Sequence, residues 1–131
     1  MLNLEPLAAR AANAMVDPQN PKTSENVMTK ALAVLTEQGV YAFGLFLATR
    51  KPKEANAVTL IHTQICNLLR DTGLYTGPTN DKPTYYRGIS AVQKEKGETP
   101  VDALRRLLLT KQLMEITLTY GRYHAKAMNH D

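Results

Sequence analysis

The C-terminal stretch "LTYGRYHAKAMNHD" crowds Tyr120, Arg122, Tyr123, His124 and Lys126 into a few residues. Such a set suits proton transfer or phosphate binding, or equally one face of an ordinary buried helix. His62 and Cys66 form a second candidate, because i and i+4 on a helix can share a metal ion. Two ligands do not make a site, and no second pair follows. Cys66 lies next to the apolar stripe of its helix, so packing is expected of both residues. His124 and His130 sit close to the chain end, a poor place for a ligand. No glycine-rich phosphate loop, nucleophile elbow or zincin pattern occurs. Acidic residues are scattered singly, unlike the helix-paired carboxylates of di-iron bundles. The expectation is a chain that is not an enzyme, with no catalytic residues, no metal and no cofactor.

The elements that position these residues read as helices. Leu4, Leu7, Ala8, Ala11 and Met15 mark a first helix, with Pro6 in its first turn. "DPQNPK" breaks it. Thr23 or Ser24 is expected to cap a second helix whose face carries Met28, Ala31, Leu32 and Leu35. Gly39 is expected to end that helix in a left-handed conformation. "VYAFGLFLATR" is apolar almost all round and predicts a deeply packed third helix, stopped at Pro52. From Glu54 to Asp71, Val58, Ile61, Ile65, Leu68 and Leu69 form a clean stripe. "GLYTGPTNDKPTYYRG" then has loop composition, with a short helix expected in "ISAVQKEKG". Thr99, Pro100 and Asp102 form a helix-start signature for a last helix running to about Met128. The fold class is therefore all-α: one compact domain over 1–131, a bundle of five to six helices with a long C-terminal helix at its centre.

Composition agrees with that class. The chain has 131 residues, 44 % of them hydrophobic, enough for a single core. One cysteine fits a reducing compartment, and no apolar run approaches the ~20 residues of a membrane span. No signal-peptide pattern is visible, so a cytoplasmic location is expected. The net charge of +4 permits nucleic-acid contact without demanding it.

Turning about 100° per residue along the last helix puts Leu109, Leu113, Ile116, Tyr120, Tyr123 and Ala127 on one line. Lys111, Glu115, Arg122 and Lys126 fall on another. The tyrosines are expected to turn inward, leaving a narrow basic strip that is either a solvated face or a phosphate contact. Further cations cluster at Arg50, Lys51 and Lys53 and at Arg105 and Arg106. The loop adds Lys82, Arg87, Lys94 and Lys96, interleaved with Tyr85 and Tyr86, an arrangement that can stack on bases.

Taken together, "LTEQGVYAFGLFLATR", "LRRLLLTKQLMEITLTYGRYHAKAM" and the alanine-rich "AARAANAMV" resemble the small helical subunit of type III-B CRISPR (Cmr) effector complexes. That family often carries a tryptophan where this chain has Tyr120. The resemblance implies a non-catalytic subunit of an antiviral ribonucleoprotein, stacking head to tail as a minor filament beside other effector subunits. It implies a basic face against the guide–target RNA duplex, with Arg50, Lys51, Arg122 and Lys126 at matching basic positions. Lys53, Arg105, Arg106 and Lys111 complete the candidate nucleic-acid contacts. Sequence would be read by base pairing, so backbone contacts suffice. Two rivals remain. A helical adaptor bundle would leave the strip without nucleic acid. A helix-turn-helix regulator would use "LAVLTEQGVYAFGLFLATRK", but that places phenylalanines where a recognition helix needs polar groups.

Overall fold

In the computed structural model, which describes residues 4–129, the chain is all-helical with no strand among the described residues. Six α-helices follow in order: α1 (Glu5–Ala14), α2 (Pro21–Gln38), α3 (Val40–Ala48), α4 (Ala55–Asp71), α5 (Lys82–Ile89) and α6 (Pro100–Met128). Short 3-10 turns at Pro52–Glu54 and Lys94–Lys96 link them. α6 packs on α1 and α2, α3 packs on α5 and α2, and α4 packs on α1 and α2. One continuous core draws on all six helices.

Local signals account for most boundaries. Thr99 and Asp102 form a reciprocal capping box at the start of α6, with Pro100 at the first position, as expected. The buried face of α4 carries Val58, Ile61, Ile65, Leu68 and Leu69, the stripe read from sequence. α2 differs. It begins at Pro21 rather than after Thr23, because proline needs no N–H partner in a first turn. Ser24 lies inside the helix, fully buried, and its hydroxyl accepts the backbone N–H of Asp17, holding the α1–α2 link. Gly39 does adopt positive φ (99°), but its ψ of −175° is extended rather than helical. It turns the chain straight from α2 into α3, a conformation open essentially to glycine.

α3 is not packed all round. Val40, Phe43, Gly44 and Leu47 are buried, whereas Tyr41 and Leu45 face outward. One face suffices because α2 and α5 cover only that side.

The segment read as an irregular loop holds α5 over "KPTYYRGI", upstream of the expected "ISAVQKEKG". Tyr85, Tyr86 and Ile89 of α5 are buried. Tyr85 and Tyr86 therefore do not interleave with surface cations. They join Phe43, His62 and Tyr75 in a ring cluster with centroids 5.0 to 5.5 Å apart, edge to face except for the tilted His62–Tyr86 pair. Such pairs contribute about 0.5–1.5 kcal/mol each beyond their burial. Gly44 admits the cluster: a Cβ there would stand 2.8 Å from Tyr86 Cβ, so α3 and α5 could not approach this closely.

The largest correction concerns α6. Its buried residues are Ala103, Thr110, Leu113, Met114, Thr117, Leu118, Gly121 and Ala125. Leu109, Ile116 and Tyr123 are exposed, Tyr123 by 58 %, as are Val101, Leu104 and Leu108. Ala127 is also exposed, and Tyr120 is half-buried with its hydroxyl donating to Glu5. The buried face is displaced by about a third of a turn from the expected line. It lies on the outside of the bundle rather than at its centre. Small side chains explain why: the Cβ that Gly121 lacks would sit 2.7 Å from Met28 Sδ and 3.3 Å from Met15 Sδ. A helical glycine costs about 1 kcal/mol against alanine, offset here by close packing on α1 and α2.

Candidate nucleic-acid interface

The candidate cations divide by what their charge already holds. Arg50 closes the C-terminus of α3: its Nε donates to the Phe46 carbonyl at 3.1 Å, and its guanidinium lies 3.9 Å from the Phe46 ring centroid. Lys51 and Lys53 are exposed on the 3-10 turn that follows. Arg50, Lys51 and Lys82 line one groove of about 220 Å³ where α3, the 3-10 turn and α4 meet. Pro52, Val58 and Thr59 supply further walls, and no acidic side chain lines it. Lys82 arrives from the start of α5, so a cation counted in sequence with a loop belongs to the "RKPK" cluster. Only the α3–α5 packing reveals that.

On α6 the strip is partly spent. Lys111 Nζ donates to the Thr36 carbonyl at 3.3 Å, and Thr36 Oγ1 donates to Glu115 at 2.9 Å. These two residues fasten α6 to the last turn of α2, where carbonyls lack helical partners. Arg122 is half-buried with its guanidinium 5.6 Å from the Tyr123 ring centroid, and Lys126 is exposed. Arg105 is exposed as well.

Arg106 is committed elsewhere. Its side chain is 11 % exposed and pairs with Glu98 at 2.8 Å, while Nη2 donates to the Ala91 carbonyl at 2.8 Å. The guanidinium holds the Glu98 carboxyl below its ordinary range. Arg106 thus pins the α5–α6 connection to α6 instead of meeting solvent. The sequence put it in a cationic pair with Arg105, but adjacent residues on a helix point about 100° apart.

His62 and Cys66 occupy a separate place on α4. The His62 Nε2–H donates to the Thr79 carbonyl at 2.8 Å, and the Tyr86 hydroxyl donates to Nδ1 at 3.0 Å. Both ring nitrogens are therefore taken by protein partners. Burial lowers the His62 pKa and raises that of the Cys66 thiol, so the pair is neutral. His124 is half-buried, and His130 lies outside the described residues. No helix among the described residues is long and apolar enough to cross a membrane.

What remains as a candidate interface is a basic groove at Arg50, Lys51 and Lys82 with Lys53 beside it, and a shorter basic patch at Arg122 and Lys126. No family model matches the chain, and no curated protein and no solved structure matches it either.

Proposed function

We propose that this chain is a non-catalytic small subunit of a type III-B CRISPR RNA-guided effector, acting in the cytoplasm in antiviral defence. It contacts the backbone of the target RNA or guide–target duplex and stacks head to tail with copies of itself beside other subunits. The observation that carries the RNA contact is the groove where Arg50, Lys51 and Lys82 converge with no acidic side chain in its lining. Cations grouped this way attract phosphates independently of sequence and in a salt-sensitive manner. The resemblance of the α2–α3 and α6 sequences supplies the assembly. The helix-turn-helix alternative gains nothing, since the outward residues of α3 are Tyr41, Leu45 and Ala48 rather than a polar reading set.

The adaptor reading keeps one observation of its own: the exposed apolar line Leu109, Ile116 and Tyr123, joined by Leu104 and Leu108. A protein-only adaptor tolerates charge reversal in the groove and on α6. The RNA reading does not. With Lys51→Glu and Lys82→Glu together, and separately with Arg122→Glu and Lys126→Glu, target-RNA capture by the assembled complex should weaken. Its salt dependence should flatten by about one unit of slope per lost phosphate contact. Unchanged capture across the salt titration in both pairs defeats the RNA contact. Co-purification of a guide-RNA-containing complex with the tagged chain tests the assembly independently.

A further inference from the structure

We propose that the outward face of α6 is covered by the same face of a second copy of this chain, the two helices running antiparallel about a two-fold axis near Gln112. Val101, Leu104, Leu108 and Tyr123 are each more than half exposed on this face, and Leu109 and Ile116 are 43 and 40 % exposed. Together these side chains show on the order of 600 Å² to solvent, the upper end of what a monomer leaves uncovered. Doubled in a pair, that clears the roughly 1,000 Å² a specific interface needs.

The order of residues along the face selects the occupant. At about 100° per residue, positions 101, 105, 108, 112, 116, 119 and 123 follow one another opposite the buried side. Val101, Leu108, Ile116 and Tyr123 are apolar, and Arg105, Gln112 and Thr119 alternate with them. The steps of 4, 3, 4, 4, 3 and 4 read the same from either end, with Gln112 at the midpoint. A two-fold axis there sets Val101 against Tyr123, Leu108 against Ile116 and Arg105 against Thr119. It brings the two Gln112 amides together, and each amide both donates and accepts. A face built for an unrelated protein has no reason to be symmetric about its middle. Charge chooses the direction. Arg122 and Lys126 form no ion pair among the described residues, and Asp102 keeps one carboxylate oxygen beyond its capping bond. Antiparallel copies bring the basic end of one helix to the Asp102 end of the other, with opposed dipoles. Parallel copies would set Arg105, Arg122 and Lys126 each against itself. The contact uses one surface twice. It is therefore distinct from head-to-tail stacking, which joins two different surfaces, and it does not rest on the RNA reading.

Sedimentation equilibrium of the purified intact chain, free of RNA, tests the pairing. A monomer–dimer equilibrium with a dissociation constant on the order of 10 μM is expected for an interface of this size. Leu108→Ser with Ile116→Ser removes four apolar side chains from the pair and should weaken it by about a hundredfold or more. Both residues face solvent in the single chain, so this variant should keep its fold by far-UV circular dichroism at about 1 μM, where the native chain is monomeric too. Lys51→Glu with Lys82→Glu, in the groove, should leave the equilibrium unchanged. Oxidative cross-linking reads the direction. Gln112→Cys should link two copies, because facing helices approach to disulfide distance at the axis. Val101→Cys should not, because antiparallel copies hold the two positions about 33 Å apart along the helices. The native Cys66 is buried and sets the background. A chain that stays monomeric at millimolar concentration overturns the proposal. So does a dimer that survives the Leu108 and Ile116 changes or dissociates with the groove changes, or cross-linking as ready at position 101 as at 112.

Discussion

Helices α4 and α6 are each about half apolar, yet only in α4 does the large-apolar stripe mark the buried face. α4 concentrates Ile, Leu and Val on one side and leaves Asn, Thr, Gln and Arg on the other. α6 spreads large apolar residues around most of its circumference. Its inward side is instead chosen by small residues: Ala103, Thr110, Thr117, Gly121 and Ala125. Hydrophobic area drives burial in proportion to the area removed from water. When both faces offer similar area, the face that lets backbones approach and fills space without voids wins.

Truncating one stripe residue on each helix gives the largest contrast. Leu69→Ala, in the α4 core, should cost about 2–5 kcal/mol in urea unfolding. Ile116→Ala, on the outward side of α6, should stay within about 0.5 kcal/mol. Equal losses would mean that α6 is turned the other way.

Two threonines sharpen the account of the inward face of α6. Thr117 is buried and its hydroxyl donates to the Leu113 carbonyl at 2.8 Å, whereas the buried Thr110 hydroxyl has no partner. Thr117→Val should lower stability by about 1 kcal/mol, and Thr110→Val should leave it unchanged or raise it by about 1 kcal/mol. Matched denaturation curves decide the signs. A loss at Thr110 equal to that at Thr117 would show that both hydroxyls are satisfied.

The smallest expected effect separates the helices by pH. The inward face of α4 carries His62, whose pKa burial lowers from 6.5. Its folded pKa lies below its unfolded one, so the unfolded chain binds more protons in between. Stability is then complete above about 6.5 and falls as pH drops from there toward the folded pKa. Protonation would also leave the Tyr86 hydroxyl facing an N–H instead of an acceptor. Urea midpoints between pH 7.5 and 5.5 should fall for the native chain and flatten in His62→Gln. The inward face of α6 bears no titratable side chain, so Thr117→Val should shift that profile without changing its slope. A flat native profile would contradict the buried neutral imidazole.

The parts legible in sequence were those set by neighbours along the chain. The capping box at Thr99 and Asp102, the stop at Gly39 and the α4 stripe depend on spacing of a few residues. α5 was missed because Gly, Pro, Asn and Asp upstream mask an eight-residue helix. Its signals were Asp81 at the N-cap position, whose carboxylate accepts the Thr84 hydroxyl and no backbone N–H, and Pro83 in the first turn. The basic candidates were legible as charges but not as sites. Arg106 was lost to Glu98 across the α5–α6 connection, while Lys82 was gained by a groove about thirty residues upstream in the chain.

For this protein, sequence alone determined that the chain is helical, where most helices begin and end, and which face of α4 is buried. Those properties follow from backbone hydrogen bonding and periodic burial within one segment. Only the tertiary structure decided the rotation of α6, the burial of Tyr85 and Tyr86, and which cations stay free. Each of these depends on which surface arrives opposite. For α6 that surface is Met15 and Met28, whose sulfurs close on Gly121 and would have to move aside for a larger side chain.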